Sequence, residues 1–163
     1  MPLFLWSSFI FYLSSQPFSD QTMLPFLQKH IPQYRLSQAL PNVTVIYGKY
    51  NIPAKRYPYQ FVQFILRKTA HLIMYFTLAT LLYVATIPYK LRRGIRFFMV
   101  IALVGGVAAL DELYQSTNFL RTGSIQDVGL DLVGGVIGLL ISMAIFRRWI
   151  GCLNRSDSKD VTS

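Results

Sequence analysis

Acid, cysteine and charge are all scarce in this chain. Only 7 of 163 residues are Asp or Glu, one is Cys, and charged residues make up 14%, where a soluble domain carries about a quarter. A single cysteine excludes a disulfide-stapled secreted module. A hydrophobic share of 53% excludes a disordered chain and a soluble α/β enzyme. No Lys or Arg precedes Lys29, so the apolar opening lacks the basic start of a secretory signal, and no small-residue cleavage site follows it. The net charge of +9 and pI near 9.9 invite a nucleic-acid reading. Aromatic residues at 15% and three long apolar runs argue against it, so no nucleic-acid partner is expected. What remains is one small domain in a membrane.

An α-helix needs roughly 20 mainly apolar residues to cross about 30 Å of hydrocarbon. Three stretches meet this: residues 69–88, 96–116 and 125–146. Residues 2–14 are apolar but short, and read either as the end of a first membrane helix whose start is cut short or as a tilted, locally thinned span. The fold class is therefore all-α, a polytopic membrane bundle of four spans with a short first one. Residues 1–153 form the membrane domain, and residues 154–163 a polar, frayed cytoplasmic tail.

The connection over residues 15–63 contains six of the eight prolines, which excludes a long helix through most of it. Residues 43–52 are β-rich around Gly48-Lys49, as in a hairpin with a two-residue turn. Residues 59–68 place Phe61, Phe64 and Ile65 on one helical face, an amphipathic approach lying on the interface before the second span.

Short loops rich in Lys and Arg stay in the cytoplasm. Lys90, Arg92, Arg93 and Arg96 mark one such loop, and Arg147, Arg148 and Arg155 follow the last span. Both termini are expected inside the cell membrane, with the long loop and residues 116–124 outside. Arg67-Lys68, on the outer side, strain this rule and call for a reason.

Four of the seven acids, Asp111, Glu112, Asp127 and Asp131, fall within 21 residues at the outer ends of two spans. A carboxylate at the bilayer centre costs on the order of 3 kcal/mol on insertion scales, so such groups face the bundle and find partners. Helical spacing puts Lys68, His71 and Tyr75 on one face, Asp111 with Gln115 on another, and Asp127 with Asp131 on a third, in line with Gly134 or Gly135 and Gly138. Ser124-Ile-Gln-Asp127 matches a capping box, which accounts for Ser124 and partly for Asp127. Gly134-x-x-x-Gly138 and Gly105-Gly106 read as close helix packing.

The segments Arg67-Lys-Thr-Ala-His-Leu-Ile-Met-Tyr75, Asp111-Glu-x-x-Gln115 and Arg121-Thr-Gly-Ser-Ile-Gln-Asp127-x-x-x-Asp131-x-x-Gly134 resemble the signature of the VanZ-like membrane protein family. Its pattern is Lys-x-x-His-x-x-x-Tyr, then Asp-Glu-x-x-Gln, then Arg-x-x-Ser-x-x-Asp with Asn or Asp and Gly following. The resemblance covers essentially the whole chain. It departs in two places: Phe119-Leu120 stand where Pro-Gly often precedes the arginine, and Asp131 stands where Asn is common. The resemblance implies a four-helix membrane protein of the cell envelope, and one family member is linked to low-level resistance to the glycopeptide teicoplanin.

Two functions fit the constellation. In the first, the site opens outward and binds or processes a lipid-linked or phosphate-bearing envelope component among the membrane lipids. Lys68, His71 and Arg121 would hold the anion, with Tyr75, Gln115, Ser124, Asp127 and Asp131 completing the binding set. Glu112, Asp111 and His71 would be the catalytic groups if a reaction occurs; no motif supplies a nucleophile, so whether the protein is an enzyme stays open. In the second, the protein is a non-catalytic structural one, and Asp111, Asp127 and Asp131 pair with Arg121 and Lys68 to fix three helices. No HExxH or comparable spacing appears and basic residues compete for the acids, so no metal and no cofactor are expected. Oligomeric state is not encoded in any pattern.

Overall fold

Helix α4 (Pro58–Thr86) is the axis of the molecule. Its 29 residues reach about 43 Å at 1.5 Å per residue, longer than the roughly 30 Å of hydrocarbon. The structure is a computed structural model that describes residues 2–15, 23–47, 50–89, 91–116 and 125–160. Around α4 stand α1 (Pro2–Ser15), α5 (Arg93–Ser116) and α6 (Ile125–Asp160), with α4 and α6 sharing the largest interface. Three helices are long and apolar enough to cross a membrane, and Leu3–Leu13 is a shorter apolar one.

Between α1 and α4 lie α2 (Leu24–His30), α3 (Gln33–Ala39) and the antiparallel strands β1 (Thr44–Tyr47) and β2 (Tyr50–Pro53). Prolines set these lengths. Pro32 separates the two short helices, and Pro41 follows the second. The strands pair with Tyr47 opposite Tyr50, which leaves two residues for the turn, as the β-rich pattern predicts. Gly48 and Lys49 themselves lie outside the described residues.

The approach to the second span differs from the sequence expectation. Residues 59–68 are not a separate interfacial helix but the first turns of α4. Phe61 is buried, and the Phe64 ring meets the Tyr47 ring edge-on at 5.4 Å. Their face is covered by the loop, because α2, α3 and β2 all pack on α4. Only Ile65 of the three remains exposed. At the other end α4 stops two residues before Pro88 and gives way to a 3-10 turn, Ile87–Tyr89; Pro88 has no backbone N–H with which to continue the helical ladder.

The core is a single seam. Tyr75, Leu78, Ala79 and Tyr83 of α4 meet Val100, Val104 and Ala108 of α5, Leu139 of α6 and Ile10 of α1. Gly134 and Gly138 bring α6 onto the α4 backbone: a Cβ on Gly134 would sit 2.7 Å from the Leu72 carbonyl oxygen, and one on Gly138 would run into Phe76. Gly135 is closed by Val104 in the same way, whereas Gly105 makes ordinary contact with Leu132 and Gly106 faces open space. Close packing thus holds for Gly134, Gly135 and Gly138, and not for Gly106. Outward, Ile73, Phe98, Leu110, Val133, Leu140 and Ile145 are all exposed, which suits lipid and not water.

Helix α1 has 14 residues, about 21 Å of helix, and does not reach across the bundle. The Trp6 Nε1–H donates to the Met74 carbonyl oxygen at 3.1 Å, and Ile10 is buried. An indole N–H away from water needs such an acceptor. Helix α6 continues to Asp160; no proline interrupts that stretch.

Candidate functional site: a polar cluster at one end of the bundle

The apolar seam turns polar at one end without leaving its helix faces. On α5 the stripe Val100, Val104, Ala108 continues into Asp111 and Gln115. On α4, reading the opposite way, Tyr83 and Ala79 lead to Tyr75, His71 and Lys68. On α6 it passes from Leu139 through Gly138 and Gly134 to Asp131 and Asp127. A side chain at i+3, i+4 or i+7 stays on its buried face, so these groups converge wherever the three seams converge. Asp111, Gln115 and Asp131 are all buried, at 1%, 3% and 3% exposure.

The outermost layer joins three elements. The Lys68 ammonium donates to Asp127 Oδ1 at 2.5 Å, and the Tyr47 hydroxyl donates to the same oxygen at 2.6 Å. The Lys68 Nζ also lies over the Tyr47 ring, 4.4 Å from its centroid. Burial, followed by the hydrogen bond to Asp127 and that carboxylate's charge, holds the Tyr47 phenol well above its ordinary range, so it remains a donor. Asp127 faces this network; Ser124, the other half of the capping-box pattern, lies outside the described residues. Its place in the first turn of α6 also suits the helix dipole. The lysine that strained the orientation rule therefore has a local counter-charge.

The inner layer is more deeply buried. Gln115 Nε2 donates to Asp111 Oδ2 at 2.9 Å, confirming the i, i+4 pair. His71 Nδ1 stands 3.4 Å from Asp131 Oδ1. Tyr75, fully buried, lies one helical turn from His71 and within electrostatic reach of Asp111 and Asp131. Glu112 is partly buried beside the cluster and acts electrostatically on Tyr47 and Tyr75. One His71 nitrogen and one oxygen each of Asp111 and Asp131 fall within 4.8 Å of one another, a spacing that a metal ion could bridge.

The structure thus brings together Lys68, His71, Tyr75, Asp111, Gln115, Asp127 and Asp131, with Glu112 at their edge. Arg121 and Ser124 lie outside the described residues. Tyr47 is the member that sequence reasoning missed. It sits 80 residues from Asp127 in a hairpin, and no spacing rule links a loop residue to a helix face. A second polar link, deeper in the bundle, brings Ser142 of α6 and Thr80 of α4 to 3.1 Å between hydroxyl oxygens, and the single Ser142 hydroxyl proton is also within reach of the Gly138 carbonyl at 2.7 Å. That link is complete within itself and serves helix packing.

Among the described residues, three helices long and apolar enough to cross a membrane, packed around buried polar side chains, mark a helical membrane protein. The family model described as VanZ/LLP1 matches residues 1–147, and the chain belongs to this VanZ-like family. No curated protein and no solved structure matches the chain.

Proposed function

We propose that the cluster is an outward-facing intramembrane site that binds a lipid-linked or phosphate-bearing component of the cell envelope. One observation carries the reading: seven polar or ionisable side chains from three spans are gathered at one end of the bundle. Ionisable groups inside a membrane protein face function more often than not, because each is expensive to retain there. At the opposite end Arg93, Arg96 and Arg147 surround Tyr83 and Phe146, an arginine-rich flank that marks a cytoplasmic end. On this orientation both termini are inside the cell membrane and the hairpin covers the site from outside. Lipid reaches the cluster laterally, between helices.

Arg121, from the segment joining α5 to α6, supplies the fork that grips phosphate. His71 beside Asp131 is a histidine oriented by a carboxylate, the pairing used to move a proton at neutral pH. Asp111 and Glu112 are the candidate bases, should the bound component be processed. By family, the bound component extends to one that affects susceptibility to glycopeptides such as teicoplanin.

A second reading has its own support. Lys68, Asp127 and Tyr47 form a closed network across α4, α6 and the hairpin, as a purely structural clamp would. Glu112→Gln and Arg121→Ala separate the two. On the binding reading, both variants reach the membrane in normal amounts and stay folded in detergent, and Arg121→Ala loses a phosphate-bearing lipid that mass spectrometry finds with the wild type. Loss of folded protein in both variants, with no lipid specific to the wild type, supports the clamp.

A further inference from the structure

The seam that turns acidic at one end of the bundle turns basic at the other. On α5, Arg93 and Arg96 precede Val100 at i, i+3 and i+7, so they lie on the face that carries the core. On α6, Arg147 follows Leu139 and Met143 at successive i+4 steps. With Tyr83 of α4 and Phe146 these arginines line one cleft of about 240 Å3 between the three helices. A topology signal needs basic residues in the connection, on any side of the chain. Arg92, in the same connection, is exposed and lies outside the cleft lining. Three arginines on the inward faces of two helices are more than orientation requires.

The cleft is organised before anything enters it. The Tyr83 and Phe146 rings meet edge-on with centroids 5.6 Å apart, and the Arg96 guanidinium carbon stands 5.3 Å from the Tyr83 centroid. Stacking uses the face of a guanidinium and leaves its edge N–H groups to donate. Arg96 Nε is buried with no hydrogen-bond partner among the described residues, and a buried N–H without an acceptor is costly. No acid lines the cleft, and both ion pairs among the described residues lie at the other end of the bundle. The first turn of α5 begins at Arg93 and holds no acid, so the positive end of that helix adds to the same field.

We infer that this cleft binds the headgroup of an anionic membrane lipid, above all one ending in a phosphate monoester, with Arg93, Arg96 and Arg147 as the donors. A phosphate monoester carries about −1.5 to −2 charge at pH 7 and presents three acceptor oxygens, which guanidinium forks grip in pairs. The volume is below the roughly 300–1,000 Å3 of pockets that enclose a whole small molecule, which suits a headgroup whose tails lie outside. Phe98 of α5 and Ile141 and Ile145 of α6, close to lining residues along their helices, are exposed and give acyl chains an apolar surface beside it. Basic pockets between spanning helices suit lipid headgroups for this reason. The site lies at the opposite end from the polar cluster, and it does not depend on the function proposed for that cluster.

The test uses full-length protein, delipidated in a neutral detergent and titrated with dioleoyl phosphatidic acid or with dioleoyl phosphatidylcholine, with bound lipid counted by native mass spectrometry. One phosphatidic acid per chain is expected, held about tenfold or more tighter than phosphatidylcholine. Arg96→Gln and Arg147→Gln should each weaken it by about tenfold. Arg92→Gln, which removes the same charge outside the cleft, and Arg121→Ala, at the other end, should leave it unchanged. Equal binding of the two lipids, or an equal loss in Arg92→Gln, overturns the proposal, because attraction would then be diffuse. A loss confined to Arg121→Ala assigns the lipid to the polar cluster and also overturns it. Inorganic phosphate that displaces the lipid at equal concentration would make this a site for a soluble anion, against the lipid assigned here. If Arg96→Gln does not fold, Arg147→Gln, at an exposed position, carries the comparison with Arg92→Gln alone.

Discussion

Asp127, in the first turn of α6, accepts hydrogen bonds at one carboxylate oxygen from both Lys68 of α4 and Tyr47 of the hairpin, at 2.5 and 2.6 Å. Residues 59 and 80 positions away in sequence meet on a single atom. The outer loop is thereby tied to the bundle at the mouth of the polar cluster.

Lys68→Met leaves Asp127 half-buried without its counter-charge. Breaking a buried pair from one side costs roughly 3–5 kcal/mol; with both side chains still 16–19% exposed, a loss near the lower end, about 3 kcal/mol, is expected. The double variant Lys68→Met with Asp127→Asn should recover much of it. Thermal unfolding in detergent of the two singles and the double measures the coupling, and additive losses would show that the pair does not interact.

Tyr47→Phe removes the phenol donor and keeps the ring against Phe64. A hydrogen bond to a charged group contributes about 1.5–3 kcal/mol, and its loss falls on the hairpin, not on the spans. Hydrogen exchange should accelerate across residues 44–53 and change little in α5 and α6. Uniform acceleration would mean that the contact supports the whole bundle.

The same hydroxyl predicts a pH limit. Its folded pKa is raised above the ordinary value of 10.0, by burial first and by Asp127 second, so the protonated form is favoured in the folded state. The stabilisation is complete below pH 10 and declines as pH rises above it. Hairpin exchange in the wild type should be flat with pH, after correction for intrinsic rates, up to about 10 and rise beyond, while Tyr47→Phe shows no such step.

Gly138→Ala and Gly134→Ala place a methyl group against the α4 backbone, at Phe76 and Leu72. Backbone cannot rotate away as a side chain does, so the helices must separate, at about 1–3 kcal/mol each. Gly106→Ala meets nothing within 4 Å and should be neutral or slightly stabilising. Melting temperatures that fall equally for all three would refute the close approach.

Orientation is tested by cysteine labelling after Cys152→Ser. Asn51→Cys, exposed on β2, should react with an impermeant thiol reagent in intact cells, and Arg93→Cys should not. The reverse pattern would place the cluster at the cytoplasmic face.

The sequence by itself determined the solvent this protein is built for and where its helices run. Long apolar runs with few charges have one economical environment, and a helix satisfies its own backbone within each segment, so membrane spans are local properties. Which face of each span is polar was equally legible, because helical periodicity is local too: Lys68, His71 and Tyr75, Asp111 and Gln115, Asp127 and Asp131 are read directly from their intervals. Their partners were not. That Lys68 takes Asp127 while His71 stands beside Asp131 depends on the rotation and depth at which α4, α5 and α6 meet. Those are set by Gly134, Gly135 and Gly138 closing on Leu72, Val104 and Phe76. Tyr47 had no periodic relation to anything, and only the folding of the loop onto the extended start of α4 brought it to the site. The scarcity of acid was visible at once; that one of the four clustered carboxylates, Asp127, takes the lysine of α4 and the phenol of the hairpin together is a consequence of tertiary structure alone.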